Sequence, residues 1–74
     1  MTKEKLIKSL KENGFLEIEL SDNKEIYITS KFGGYIAELD IWDINAEDWK
    51  LIHRFKPITD PEKLIDSLMN LFEL

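Results

Sequence analysis

Apolar and polar residues alternate with a period of two through most of the middle of the chain. Leu16, Ile18 and Leu20 are interleaved with Glu17 and Glu19, and Ile26 and Ile28 with Glu25, Tyr27 and Thr29. Ala37, Leu39 and Ile41 are interleaved with Glu38, Asp40 and Trp42. That period belongs to strands with one buried face. Toward the two ends the spacing becomes helical. Leu6, Ile7 and Leu10 form one stripe, and Leu64, Ile65, Leu68, Met69 and Phe72 form another.

Local signals set the boundaries. Thr2 is a suitable N-cap, Glu4 suits the positive helix end, and Gly14 suits a left-handed C-terminal residue, so the first helix is expected from about Thr2 to Asn13. Ser21-Asp22-Asn23 reads as a three-residue turn that pairs Ile18 with Ile26, Leu16 with Ile28 and, less comfortably, Glu19 with Glu25. Gly33-Gly34 reads as the centre of a two-residue hairpin, pairing Phe32 with Tyr35 and Ile28 with Leu39. Asp43 to Asp48 is a polar connection in which Asn45 can cap a helical turn. A fourth strand is expected from Trp49 to Phe55, with Trp49, Leu51 and Phe55 inward and Lys50, Ile52 and Arg54 outward. After Pro57, the last helix starts either with a Thr59–Glu62 capping box or with Asp60 as N-cap and Pro61 in the first turn.

The expected fold is a single α+β domain over residues 1–74. It is a two-layer sandwich in which an antiparallel meander of three to four strands is flanked in sequence by an N-terminal and a C-terminal helix (α-β-β-β-β-α). Both helices must pack on one sheet face, because the other is too charged to form a core.

Composition narrows the function classes. A chain of 74 residues buries only about 60% of its unfolded surface, so its stability is expected to be modest. With no cysteine there is neither a disulfide framework nor a thiolate zinc site. No apolar run reads as a signal-peptide core or a membrane span, so the expected compartment is the cytoplasm, with no membrane partner.

The net charge of −5 is uneven. Residues 1–14 carry four lysines against two glutamates, a net +2, and the remainder carries six basic against thirteen acidic residues, a net −7. From Phe32 to Trp49 there is no Lys or Arg at all. Such a field repels nucleic-acid phosphate and attracts basic protein surface, beyond giving solubility.

The expected catalytic, cofactor and metal residues are none. Glu38 and Asp40 share a strand face, but acid–base division of labour needs a cleft and unlike environments. Asp43, Asn45 and Glu47 copy the one-three-five oxygen spacing of a calcium loop; Asp48 then replaces its glycine and Arg54 its bidentate glutamate. His53 is the only histidine and has no second nitrogen or sulfur ligand.

What remains is a surface. Tyr27, Ile36, Glu38, Asp40, Trp42, Asp43, Glu47 and Asp48 form the candidate protein-binding site, an acidic patch with aromatics of the kind enriched at hot spots. The expected function is a non-enzymatic acidic module that binds a protein partner with a basic surface, as a stoichiometric inhibitor or regulator. Small acidic α/β proteins among bacteriophage and mobile-element inhibitors of host nucleic-acid enzymes are similar in fold class and charge, with no shared motif. A structural or assembly subunit is one alternative. Another is a three-stranded-sheet nucleic-acid binder: Tyr35 to Leu39 with a Trp-bearing strand behind it resembles plant-type three-strand DNA-binding domains. Glu17, Glu19, Glu38 and Asp40 on the strands argue against nucleic acid. Leu71, Phe72 and Leu74, with an unpaired strand edge, add a homodimer to the expected associations.

Overall fold

The computed structural model describes residues 2–74. Its elements are α1 (Lys3–Asn13), β1 (Phe15–Glu19), β2 (Lys24–Lys31), β3 (Gly34–Asp43), β4 (Asp48–Arg54) and α2 (Pro61–Phe72). The four strands form one antiparallel sheet in sequential order, β1-β2-β3-β4. This is the expected two-layer α-β-β-β-β-α arrangement.

The helices start and stop where side-chain chemistry dictates. The Thr2 hydroxyl accepts from the Lys5 N–H, and Gly14 closes α1 at φ 77°, its N–H reaching the Leu10 carbonyl. For α2 the two N-cap alternatives resolve to Asp60, whose Oδ1 accepts from the Glu62 N–H, with Pro61 opening the helix. Lys3 of α1 reaches Asp66 of α2 at 2.7 Å and ties the helices together at their exposed edge.

One sheet face and one stripe of each helix make the core. Leu6 and Leu10 of α1, Leu16 and Ile18 of β1, Ile26 and Ile28 of β2, Ala37 of β3, and Leu64, Ile65 and Leu68 of α2 are buried together. Leu39, Tyr35, Phe55 and Phe72 pack at the margin. Among the described residues no buried polar side-chain atom lacks a hydrogen-bond partner.

The β1–β2 register matches the expected one, including Glu19 opposite Glu25. Its turn places both Asp22 and Asn23 at φ 60°, where short polar side chains tolerate the left-handed region. The β2–β3 register differs from the expected one. Lys31 pairs with Gly34 and Ile28 with Ala37, so the turn residues are Phe32 and Gly33, at φ 54° and 75°. Positive φ at both central positions is the primed-turn geometry that matches sheet twist. Gly34 instead serves close approach. It is buried, and an added Cβ would lie 3.2 Å from the Ile58 carbonyl oxygen. There Tyr35 and Ile58 exchange backbone hydrogen bonds of 2.9 and 3.1 Å. Moving the turn by one residue moves every partner by two, which leaves each side chain on its expected face.

The fourth strand departs further. Asp40 pairs with Leu51 and Leu39 with His53, leaving Ile52 unpaired in a β-bulge. Before the bulge Trp49 and Leu51 share the outer face with Trp42 and Asp40; beyond it Arg54 joins Glu38 on that face. Phe55, whose N–H donates to the Ala37 carbonyl, turns to the core margin. The expected inward triplet Trp49, Leu51 and Phe55 is therefore split by one extra residue, and Lys50 lies opposite Ile41 on the helix side.

The core ranks its own substitutions. Ile28 is fully buried whereas Leu39 sits at the margin. Ile28→Ala is expected to cost about 2–5 kcal/mol in denaturant unfolding, and Leu39→Ala clearly less. Gly34→Ala should also destabilise, because backbone must yield to the new Cβ. Equal losses at Ile28 and Leu39 would contradict this core.

Candidate functional site

The strand registers arrange the outer face in rows running across the sheet. One row holds Glu19, Glu25, Asp40 and Leu51; the next holds Glu17, Tyr27, Glu38 and Arg54. Neighbours within a row lie about 4.8 Å apart and the rows about 7 Å apart, by strand geometry. Phe15, Thr29 and Ile36 form a third row at one end, and Trp42 and Trp49 pair at the other. Five carboxylates thus share the centre of one sheet face, between two apolar margins.

The aromatics are ordered by contact with each other. The Trp42 and Trp49 rings meet edge to face, 5.5 Å between centroids, and remain 37% and 40% exposed. Phe15 and Tyr27 lie 6.5 Å apart across β1 and β2. The tryptophan pair covers the end of the sheet and still offers ring surface.

The charges are largely unanswered. Arg54 donates from Nε to Glu38 Oε1 at 3.1 Å, and its Nη2 lies 3.1 Å from the same oxygen. Among the described residues Glu17, Glu19, Glu25 and Asp40 have no ion-pair partner. Partial burial, reinforced by Glu17, Asp40 and Glu19, pushes the Glu25 carboxyl above its ordinary value. Partial burial and then Glu38 push Asp40 up in the same way. Both effects disfavour the charged form.

Of the candidate residues, Tyr27, Ile36, Glu38, Asp40 and Trp42 come together on this face. Asp43, Glu47 and Asp48 do not join them. Asp43 and Asp48 pair at the mouth of the four-residue loop Ile44–Glu47, and Glu47 lies within it at φ 52°. Asp43 Oδ1, not Asn45, caps that loop by accepting the N–H groups of Asn45 and Ala46, and Asp43 also pairs with Lys50. The hydrogen bond from Lys50, followed by the two backbone N–H groups, holds the Asp43 carboxyl below its ordinary value. Asp48 accepts from the Trp49 N–H. These two aspartates are committed to the hairpin.

Trp49, Leu51, Glu19 and Glu25 belong to the face and were not in the sequence-derived set. Alternation already placed Glu19 and Glu25 outward; the orientation of Trp49 and Leu51 depends on the bulge, which no local signal announces. Among the described residues there is no group of three or more metal-binding side chains and no helix long and apolar enough to cross a membrane.

The shifted carboxyls make a pH prediction with a definite sign. Glu25 and Asp40 titrate higher in the folded than in the unfolded chain. Their ionisation therefore lowers stability above the folded values, and protonation relieves that penalty as pH falls. Asp43 acts oppositely: its contribution is present above the ordinary carboxylate range and is lost as pH falls through its depressed folded value. Glu25→Gln and Asp40→Asn are each expected to stabilise the protein at pH 7 by about 0.2–1 kcal/mol, the scale of cross-strand like-charge pairs. The gain should shrink toward pH 4 and in high salt. Thermal unfolding across pH checks it, and destabilisation at pH 7 by both variants would refute the unanswered-charge description.

Comparison of the chain with protein-family models, with curated proteins and with solved structures gives no match.

Proposed function

We propose that this protein is a non-enzymatic protein-binding module that acts as a stoichiometric inhibitor or regulator, docking its outer sheet face on a basic surface of its partner. The observation that carries this reading is the row Glu19–Glu25–Asp40, three adjacent carboxylates on three strands with no cation opposite them among the described residues. Like charges in directly opposed positions destabilise a sheet. A partner that supplies lysine or arginine side chains relieves the repulsion on binding, so part of the stability lost in the free fold returns as affinity.

The apolar margins complement the charge. Trp42, Trp49 and Leu51 at one end, with Phe15 and Ile36 at the other, supply surface that gains by desolvation, while the carboxylates steer approach and fix orientation. The same charge opposes face-to-face pairing of two copies and opposes nucleic-acid phosphate. A basic nucleic-acid-binding surface of another protein is the kind of target that this face fits.

Capture from lysate on the immobilised protein identifies the partner, and variants then test the face. Trp42→Ala should weaken binding by about 2 kcal/mol, mainly through faster dissociation. Paired charge reversal, Glu25→Lys with Asp40→Lys, should slow association, and the difference from the native protein should shrink as salt rises. Both variants should keep native circular dichroism. Full affinity in both would exclude this face as the docking surface.

A further inference from the structure

One exposed aromatic lies outside the acidic face and has no structural explanation there. Phe32, at the tip of the β2–β3 hairpin, is 92% exposed and sits at φ 54°. A bulky residue at positive φ is strained, and Asn or Gly at this position of a primed turn removes the strain. No core contact compensates, since Phe32 packs against none of the buried cluster. The tip is nonetheless firmly held, because the Tyr35–Ile58 backbone bridge anchors its base. The Lys31 ammonium, 5.9 Å from the Phe32 ring centroid, gives the tip a positive charge. Strain held at an exposed, rigidly presented aromatic is a mark of a contact surface.

The opposite end of the molecule carries a receptor of matching character. Between the β1–β2 turn and the C-terminal turn of α2 lies an open groove of about 330 Å³, with Leu20, Leu39, Phe72 and Leu74 as its apolar wall. Glu19 and Asp22 stand at its rim, against a single Lys24. Lys24 and Lys31 bound β2, so groove and tip lie at opposite ends of one eight-residue strand. That separation is about 24 Å. A tip cannot reach the groove of its own chain.

We infer that the Phe32 tip of one molecule docks into the Leu20–Leu39–Phe72–Leu74 groove of a second copy, head to tail. The ring fills the apolar groove while Lys31 faces Glu19 and Asp22. The two surfaces differ, so the contact is heterologous and leaves a free tip and a free groove at the ends of every assembly until a ring closes. A single inserted side chain covers far less than the roughly 1,200–2,000 Å² of a standard interface, so association is weak and concentration-dependent. It uses neither Trp42, Glu25 nor Asp40; Glu19, which borders both the groove and the acidic row, is the one residue shared with the surface proposed above.

Sedimentation velocity between about 20 μM and 1 mM, chosen to span such a weak contact, tests this. The expected weight-average mass of the native protein rises with concentration and falls back as salt is added. Phe32→Gly, which relaxes the turn, should remain monomeric throughout while its thermal midpoint stays level or rises. Leu74→Lys, which places a polar cation in the groove, should also remain monomeric. The decisive sample is the mixture of these two variants. One retains only a groove and the other only a tip, so together they should form a species capped at two chains.

A native protein that is monomeric at 1 mM overturns the inference. So does association that survives Phe32→Gly, or a mixture that stays monomeric. Sedimentation of the native monomer with vesicles of anionic lipid, lost in Phe32→Gly, would assign the tip to a membrane surface instead and equally overturn it.

Discussion

The fold hangs on burial at one sheet face. Ile26, Ile28 and Ala37 at the sheet centre share a core with Leu10 of α1 and with Leu64, Ile65 and Leu68 of α2. Both helices pack on that side of the sheet, and the opposite side is lined by carboxylates that favour contact with water. Exposure of the acidic face follows directly from where the helices pack. Its unanswered carboxylates are a cost of that arrangement which the core has to carry.

The sheet's edges show the same economy. β1 is five residues long and carries Glu17 and Glu19. β4 is exposed throughout and is interrupted by the bulge at Ile52. A bulged strand with Lys50 and Arg54 on it is a poor template for continuous pairing with another chain, even though Leu51 and Ile52 are exposed. The bulge also places Leu51 on the outer face beside Asp40 and returns Phe55 to the core margin, so one extra residue both blunts the edge and enlarges the apolar margin of the acidic face.

Much of this was legible in the sequence, for a reason tied to strand geometry. The alternation of Ile26, Ile28, Ala37, Leu39 and Ile41 assigns faces, and face assignments survive a turn displaced by one residue because the partners move by two. The displacement itself was not legible. Two consecutive glycines suggest a shared role, whereas Gly33 supplies a positive φ and Gly34 makes room for Ile58, a residue 24 positions later. The capping of the Ile44–Glu47 loop by Asp43, in place of Asn45, removed one acidic residue from the candidate surface. The orientation of β4 was hidden most completely, because every residue of that strand is exposed and burial imposes no pattern on it. The chemistry of the outer face could be read from alternation alone, with Ile36 and Trp42 at its margins; which residues of β4 border it could not.

The central claim is that the Glu19–Glu25–Asp40 row is electrostatically unanswered in the free protein and answered in its complex. Carboxyl titration of Glu25 and Asp40 by nuclear magnetic resonance, free and with the captured basic partner bound, tests it most directly. Both groups should titrate above the ordinary carboxylate range in the free protein, through partial burial and their acidic neighbours, and below it in the complex. Ordinary values in both states would contradict the account.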